Sequence, residues 1–162
     1  MITIRAYEPD DWPALWTILE AVFRAGETYA VPSGITEQDG HRLWIELPRA
    51  VCVAVDETGT PLATYYLKAN QAGPGDHVAN CGYIVSRTAR GQGLAGQMCK
   101  HSLVLARDLG FTAMQYNLVV STNDVAIRLW QTHGFAIAGT LPGAFRHPTL
   151  GRVDAHVMYR LL

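Results

Sequence analysis

The chain has 162 residues, of which 49% are hydrophobic and 17% charged. A typical soluble domain carries about 25% charged residues, and a chain of this length buries roughly 70% of its unfolded surface without staples, so residues 1–162 read as one domain. Lys and Arg number 13 against 14 Asp and Glu, a net charge of -1, which argues against a dedicated nucleic-acid or membrane-surface binder, since either needs a basic excess.

The first strand is expected at Ile2 to Tyr7. Glu8-Pro9-Asp10-Asp11 then opens a helix with Trp12, Leu15, Trp16, Leu19 and Val22 at helical spacing. Gly26 to Gly34 reads as a loop, and Thr36 starts a second helix running to Pro48. Ala50 to Val55 and Leu62 to Lys68 form a hairpin about the turn Glu57 to Thr60. A loop, Asn70 to Asp76, leads to the strand His77 to Val85. The polar turn Ser86 to Gly93 precedes a helix from Leu94 to Leu109, which Gly110 stops. Ala113 to Val120 is a strand and Asn123 to His133 a short helix. Phe135 to Leu141 and Val153 to Leu161 close the chain as two strands around a Pro- and His-containing loop. The order β-α-α-β-β-β-α-β-α-β-β predicts an α/β fold with a mixed sheet and one parallel crossover.

Cys52, Cys81 and Cys99 form no CxxC pair, so a reducing compartment fits better than a disulfide framework. The longest strictly apolar run, Ala50 to Val55, is far short of the ~20 residues that span a bilayer. The N-terminus lacks an apolar signal core. Together these predict a soluble cytoplasmic protein. The six histidines have no metal-ligand spacing, so no metal is expected.

The most informative stretch joins a strand to a helix: Ser86-Arg87-Thr88-Ala89-Arg90-Gly91-Gln92-Gly93-Leu94-Ala95-Gly96. Small residues let backbone approach a ligand, and free N–H groups at a helix start favour a phosphate. From His77 to Arg107 there is no acid, against Arg87, Arg90, Lys100 and Arg107. Gly91, Gly93 and Gly96 also match the dinucleotide pattern GxGxxG. Against a dinucleotide oxidoreductase, the next strand ends without an acid for a ribose, and one crossover is too few. A tight turn with solvated arginines is the plainest alternative.

Arg90-Gly91-Gln92-Gly93-Leu94-Ala95 resembles the coenzyme A pyrophosphate loop of GCN5-related N-acetyltransferases, Gln/Arg-x-x-Gly-x-Gly/Ala. Asn123, Leu129-Trp130 and Gly134-Phe135 resemble that family's next motif, and the element order is similar along nearly the whole chain. The resemblance implies an acetyl-CoA-dependent N-acetyltransferase. Its fourth strand splays from its fifth to admit pantetheine. Backbone groups of Tyr83, Ile84 and Val85 would pair with pantetheine, Arg90 to Ala95 would hold the pyrophosphate, and Asn123 would touch the pantetheine arm. Asn123 also suits a helix cap. Trp130 stands where the family often has a tyrosine that protonates the leaving thiolate; an indole N–H is no usable acid, so Trp130 is expected to pack against cofactor or core. This departure leaves open a non-catalytic coenzyme A-binding module.

Asn80, Asn117 and Asn123 have spacings similar to those of fungal N-acetyltransferases acting on proline analogues. That likeness implies that Asn80 and Asn117 shape a pocket for a small amine, with Tyr83 as a pocket aromatic and Asn123 near the acetyl group. In the family the loop holding Glu27 and Tyr29 borders the acceptor, so these two are candidate substrate contacts. Glu27 is the first candidate for substrate contact or base, with a solvated loop carboxylate as the plainer alternative. Arg146, before the last strand, is a candidate reader of an acceptor carboxylate. Tyr65 and Tyr66 alternate on a strand, and which of them faces the cleft stays open. Cys81 reads as a buried hydrophobe, since the family transfers acetyl directly. Homodimers are common in the family, and apolar residues on the terminal strands are available for one.

Overall fold

The computed structural model describes all 162 residues. Seven strands, β1 (Thr3–Ala6), β2 (Ala50–Val55), β3 (Pro61–Ala69), β4 (Val78–Val85), β5 (Ala113–Val120), β6 (Ala136–His147) and β7 (Gly151–Leu161), form one sheet. Its order is β1-β2-β3-β4-β5-β7-β6, and only β4 and β5 run parallel. Four helices accompany it: α1 (Trp12–Ala25), α2 (Glu37–His41), α3 (Leu94–Asp108) and α4 (Asp124–Thr132). This is the mixed α/β architecture that the element order predicts. No helix is long and apolar enough to cross a membrane.

Strand alternation divides the core between two faces. On β3, Ala63, Tyr65 and Leu67 point into the larger cluster, with Met98 and Leu103 of α3 and Trp130 of α4. The opposite face, under α1 and α2, holds Leu19, Phe23, Trp44 and Ile84, with Tyr29 and Tyr66 packed against them. Helix α1 is fixed by Leu15, Leu19 and Phe23, buried at four-residue spacing on one face. It ends at Gly26, whose φ of 64° is left-handed.

Three local expectations change. The second helix is α-helical only over Glu37–His41 and continues as a π segment, Arg42–Glu46. The turn after β4 contains a short 3-10 helix, Arg87–Ala89. The expected loop before the last strand is mostly sheet: β6 continues to His147, paired with Gly151 of β7. A register shift between Leu141 and Phe145 absorbs Pro142 and Gly143, as a bulge can. There Asp154 accepts the Gly143 N–H at 2.8 Å.

Candidate active site

The site begins where the parallel pair comes apart. β4 and β5 are in register only at Val78 with Ala113, Ala79 with Met114 and Asn80 with Gln115. Beyond Asn80, β4 continues alone to Val85. The Val78 carbonyl accepts from Asn70 and the Ser86 N–H donates to Leu62, both at 2.8 Å, so even-numbered residues of β4 turn their backbone groups to β3. By alternation Cys81, Tyr83 and Val85 turn theirs into the gap. The expectation for Ile84 is therefore corrected: its backbone faces β3, and its side chain is buried with Leu19 and Trp44. In the gap the Tyr83 carbonyl accepts a hydrogen bond from the Tyr29 hydroxyl at 2.9 Å.

The gap leads to the glycine turn. Gly91 and Gly93 have φ of 76° and 74°, a conformation that side chains resist. A Cβ added at either would meet nothing within 4 Å, so their open face can take a ligand. Gly93 caps α3, and the first helical bond runs from the Gln97 N–H to the Gly93 carbonyl. The N–H groups of Leu94, Ala95 and Gly96 in the first turn have no helical acceptor. Arg90 and Gln92 are exposed beside them, and Gln92 donates to the Thr88 carbonyl. A Cβ on Gly96 would lie 3.5 Å from His133, so α3 and α4 approach closely here. Asn123 caps α4, accepting the Ala126 N–H at 3.3 Å.

On the α3 and α4 side, Trp130 is buried, its ring 4.8 Å from Tyr83 and 5.0 Å from Tyr116. The Tyr83 hydroxyl bonds Ser102 at 2.7 Å and Tyr116 at 2.9 Å. Burial pushes both phenols well above the usual tyrosine range. The Tyr83 side chain thus belongs to this aromatic layer, which corrects its expected place among the pocket residues with Asn80; its backbone alone faces the gap. The Cys81 thiol is pushed up by burial as well, so it is no thiolate nucleophile.

The other face settles which tyrosine meets the cleft. Tyr65 is fully buried and bonds His101 at 2.6 Å. Tyr66 instead crosses β4 on the α1 and α2 face: a Cβ on Gly82 would lie 2.6 Å from its ring. Its hydroxyl donates to Asn80 Oδ1 at 3.2 Å, and Asn80 Nδ2 donates to the Gln115 carbonyl at 3.0 Å. Asn80 thus clips the two strands together at the root of the fork. Asn117 donates to Asn70 at 2.7 Å and accepts from Gln115 at 2.9 Å. Asn80 and Asn117 therefore share a face and are joined through Gln115, with no direct bond. The sequence offers Tyr66 only as one of two candidates for the cleft face and gives no signal for Asn70 or Gln115. The alternation of buried Ala63, Tyr65 and Leu67 is the signal that places Tyr66 here. Glu27 and Arg146 are exposed. Arg146 lies on β6 opposite Arg152, in a strand where a loop was expected.

Residues 12–135 match the family model of the acetyltransferase (GNAT) family. The chain belongs to this family of N-acetyltransferases, which sets aside the dinucleotide-binding alternative. It is similar to a GCN5-related N-acetyltransferase from Kribbella flavida, with 41% identity, a TM-score of 0.95, and 99% and 98% of the two chains covered. It shares the fold of a phosphinothricin acetyltransferase from Sinorhizobium meliloti solved in complex with AcCoA, at 20% identity and a TM-score of 0.87, over 99% of this chain and 88% of that one. It is 29% identical over 150 residues to the N-acetyltransferase aca1 of Schizosaccharomyces pombe, covering 82% of this chain and 71% of that protein.

Proposed function

We propose that the chain transfers an acetyl group directly from acetyl-CoA to the amine of a small molecule, of the amino-acid or proline-analogue kind. The observation that carries the reading is the fork: β4 and β5 part after Asn80 and Gln115, and the unpaired edge of β4 runs into the open Gly91 and Gly93 turn. Anionic phosphates suit that turn because free N–H groups, the α3 dipole and the Arg87 and Arg90 charges act together. The Tyr83 carbonyl is held by Tyr29, while the Tyr83 N–H and the backbone groups of Val85 face the gap, where the acetyl carbonyl and an amide-bearing arm can pair with them.

Acetyl transfer needs a neutral amine, a held carbonyl and a donor for the developing oxyanion. The Tyr83 N–H, turned into the gap, is our assignment for that donor. Asn117 and Asn123 orient amine and carbonyl, since asparagine does not titrate near neutral pH, while Asn80, bonded to Tyr66 and to the Gln115 carbonyl, holds the strands beside them in place. Trp130 packs on Tyr83 and supplies no proton, so the departing thiolate takes its proton from solvent. That absence also favours the competing reading, coenzyme A binding without turnover. Thiol release with a panel of amines separates the two. Release dependent on an amine supports transfer; tight acetyl-CoA binding with no release for any amine overturns it.

A further inference from the structure

The strand register lines up Lys68 of β3, Asn80 of β4 and Gln115 of β5 as direct neighbours. Asn80 and Gln115 are the last pair before the fork opens, so Lys68 stands at its root, on the face that carries Tyr66. Its ammonium lies 5.3 Å from the centre of the Tyr66 ring. The ring in turn reaches across Gly82, the residue beside Tyr83. Tyr83, the Tyr66 ring and the Lys68 ammonium therefore follow one another along this face, from the gap to the root of the fork.

Lys68 takes part in no ion pair of the protein. A second cation, Arg49, stands just before β2, where its N–H donates to the Leu67 carbonyl at 2.8 Å. Arg49 is also free of ion pairs and lies 5.6 Å over the Phe111 ring. Both cations line a cleft of about 580 Å³ at the end of the sheet where β4 and β5 begin, with His77 and a single carboxylate, Asp76. Two unneutralised cations on one cleft, held by aromatic rings and not by acids, suit an anion brought by a ligand.

We propose that Lys68 anchors an anionic group of the acceptor, and that the acceptor is an amine carrying a carboxylate at some distance from its nitrogen. The proposal rests on the acetyl-transfer reading and adds a substrate class to it. The span follows from the strand: Tyr83 and Asn80 are three residues apart, roughly 10 Å. The acceptor lies along the Tyr66 ring with its amine at the gap and its carboxylate at Lys68. A plain α-amino acid is too short to use both ends.

The test measures thiol release from acetyl-CoA with 6-aminohexanoate, its neutral amide, glycine and glycinamide, using the wild-type chain, Lys68→Met and Lys68→Arg. The wild type is expected to favour 6-aminohexanoate over its amide by roughly tenfold to a hundredfold in kcat/KM, the worth of one charge-assisted hydrogen bond. Glycine and glycinamide differ much less. Lys68→Met removes the preference through KM, Lys68→Arg keeps most of it, and the KM for acetyl-CoA is unchanged in both. Equal use of acid and amide by the wild type overturns the proposal, as does a preference that survives Lys68→Met. Turnover of glycine with none of 6-aminohexanoate overturns it too, leaving acetyl transfer intact. Absence of thiol release with these acceptors and with the broader amine panel removes the acetyl-transfer reading itself.

Discussion

The Tyr29 hydroxyl donates to the Tyr83 backbone carbonyl at 2.9 Å, across 54 residues of chain. It ties the loop after α1 to the unpaired edge of β4. Tyr29 is held by Phe23 and Trp44, with ring centres 6.0 and 5.9 Å away. The loop after α1 and the gap therefore share one aromatic anchor. Burial keeps the phenol protonated far above neutral pH, so Tyr29 acts as a donor and never as a base.

Tyr29→Phe keeps the ring and removes the donor. Stability is expected to fall by about 1 kcal/mol, the net worth of a neutral hydrogen bond, read from urea denaturation. Because the freed carbonyl lies in the gap, catalysis is expected to respond more than folding does: kcat falls while the melting temperature moves by a few degrees. An unchanged kcat with unchanged stability refutes the anchoring role.

Gly93 and Arg90 test the phosphate turn separately. Gly93→Ala puts a Cβ into open space, so its cost in the free protein is backbone strain alone, about 1–2 kcal/mol for a left-handed residue. Coenzyme A affinity is expected to fall further, because the methyl occupies the ligand's side. Arg90→Glu leaves the fold alone, since Arg90 is exposed, and weakens coenzyme A roughly tenfold or more by replacing attraction with repulsion. Calorimetric titration with coenzyme A reads both. Unaltered affinity in Arg90→Glu removes Arg90 from the site.

The turn itself was legible in the sequence because its chemistry is local. Gly91 and Gly93 need left-handed backbone, and the Arg90 to Ala95 spacing follows the chain. The fork was legible only through the family resemblance, since loss of pairing between β4 and β5 depends on long-range register. Tyr65 and Tyr66 illustrate the limit: alternation says that they part, while the packing of α1 and α3 decides which goes where. The Tyr83 side chain was misplaced for the same reason, because its backbone and its ring serve opposite sides of the sheet. The Arg146 segment reads as a loop because Pro142 and Gly143 are strong turn residues, whereas a bulge in β6 accommodates both.

Gly82 and Tyr66 form a pair whose contact can be measured. A Cβ at Gly82 would stand 2.6 Å from the Tyr66 ring, so Gly82→Ala must displace that ring from β4. The expected cost is about 1–3 kcal/mol of overpacking, together with loss of the Tyr66 to Asn80 bond. Tyr66→Leu shortens the side chain and is expected to make Gly82→Ala nearly free. A double-mutant cycle in urea therefore gives a coupling well above the ~0.5 kcal/mol scatter of independent sites. Simple additivity contradicts the crossing of Tyr66 over Gly82.

Asp11 gives the fold an acid-sensitive clasp. Its carboxylate accepts two bonds from the Arg5 guanidinium, at 2.8 and 2.7 Å, and the Glu8 N–H at 2.8 Å. The bond from Arg5 is the largest cause holding the Asp11 carboxyl below its ordinary range, against the opposing effect of burial. A depressed folded pKa means that the unfolded chain binds the proton first. The stabilisation is complete above the unfolded value of about 3.9 and is lost as pH falls through the lower folded value. Asp11→Asn is expected to cost about 1.5–3 kcal/mol at pH 7 and to flatten the fall in stability below pH ~4. Urea midpoints from pH 7 down to pH 3 read the difference. If the variant and the wild type lose stability in parallel over that range, the clasp between β1 and the start of α1 is not what acid breaks.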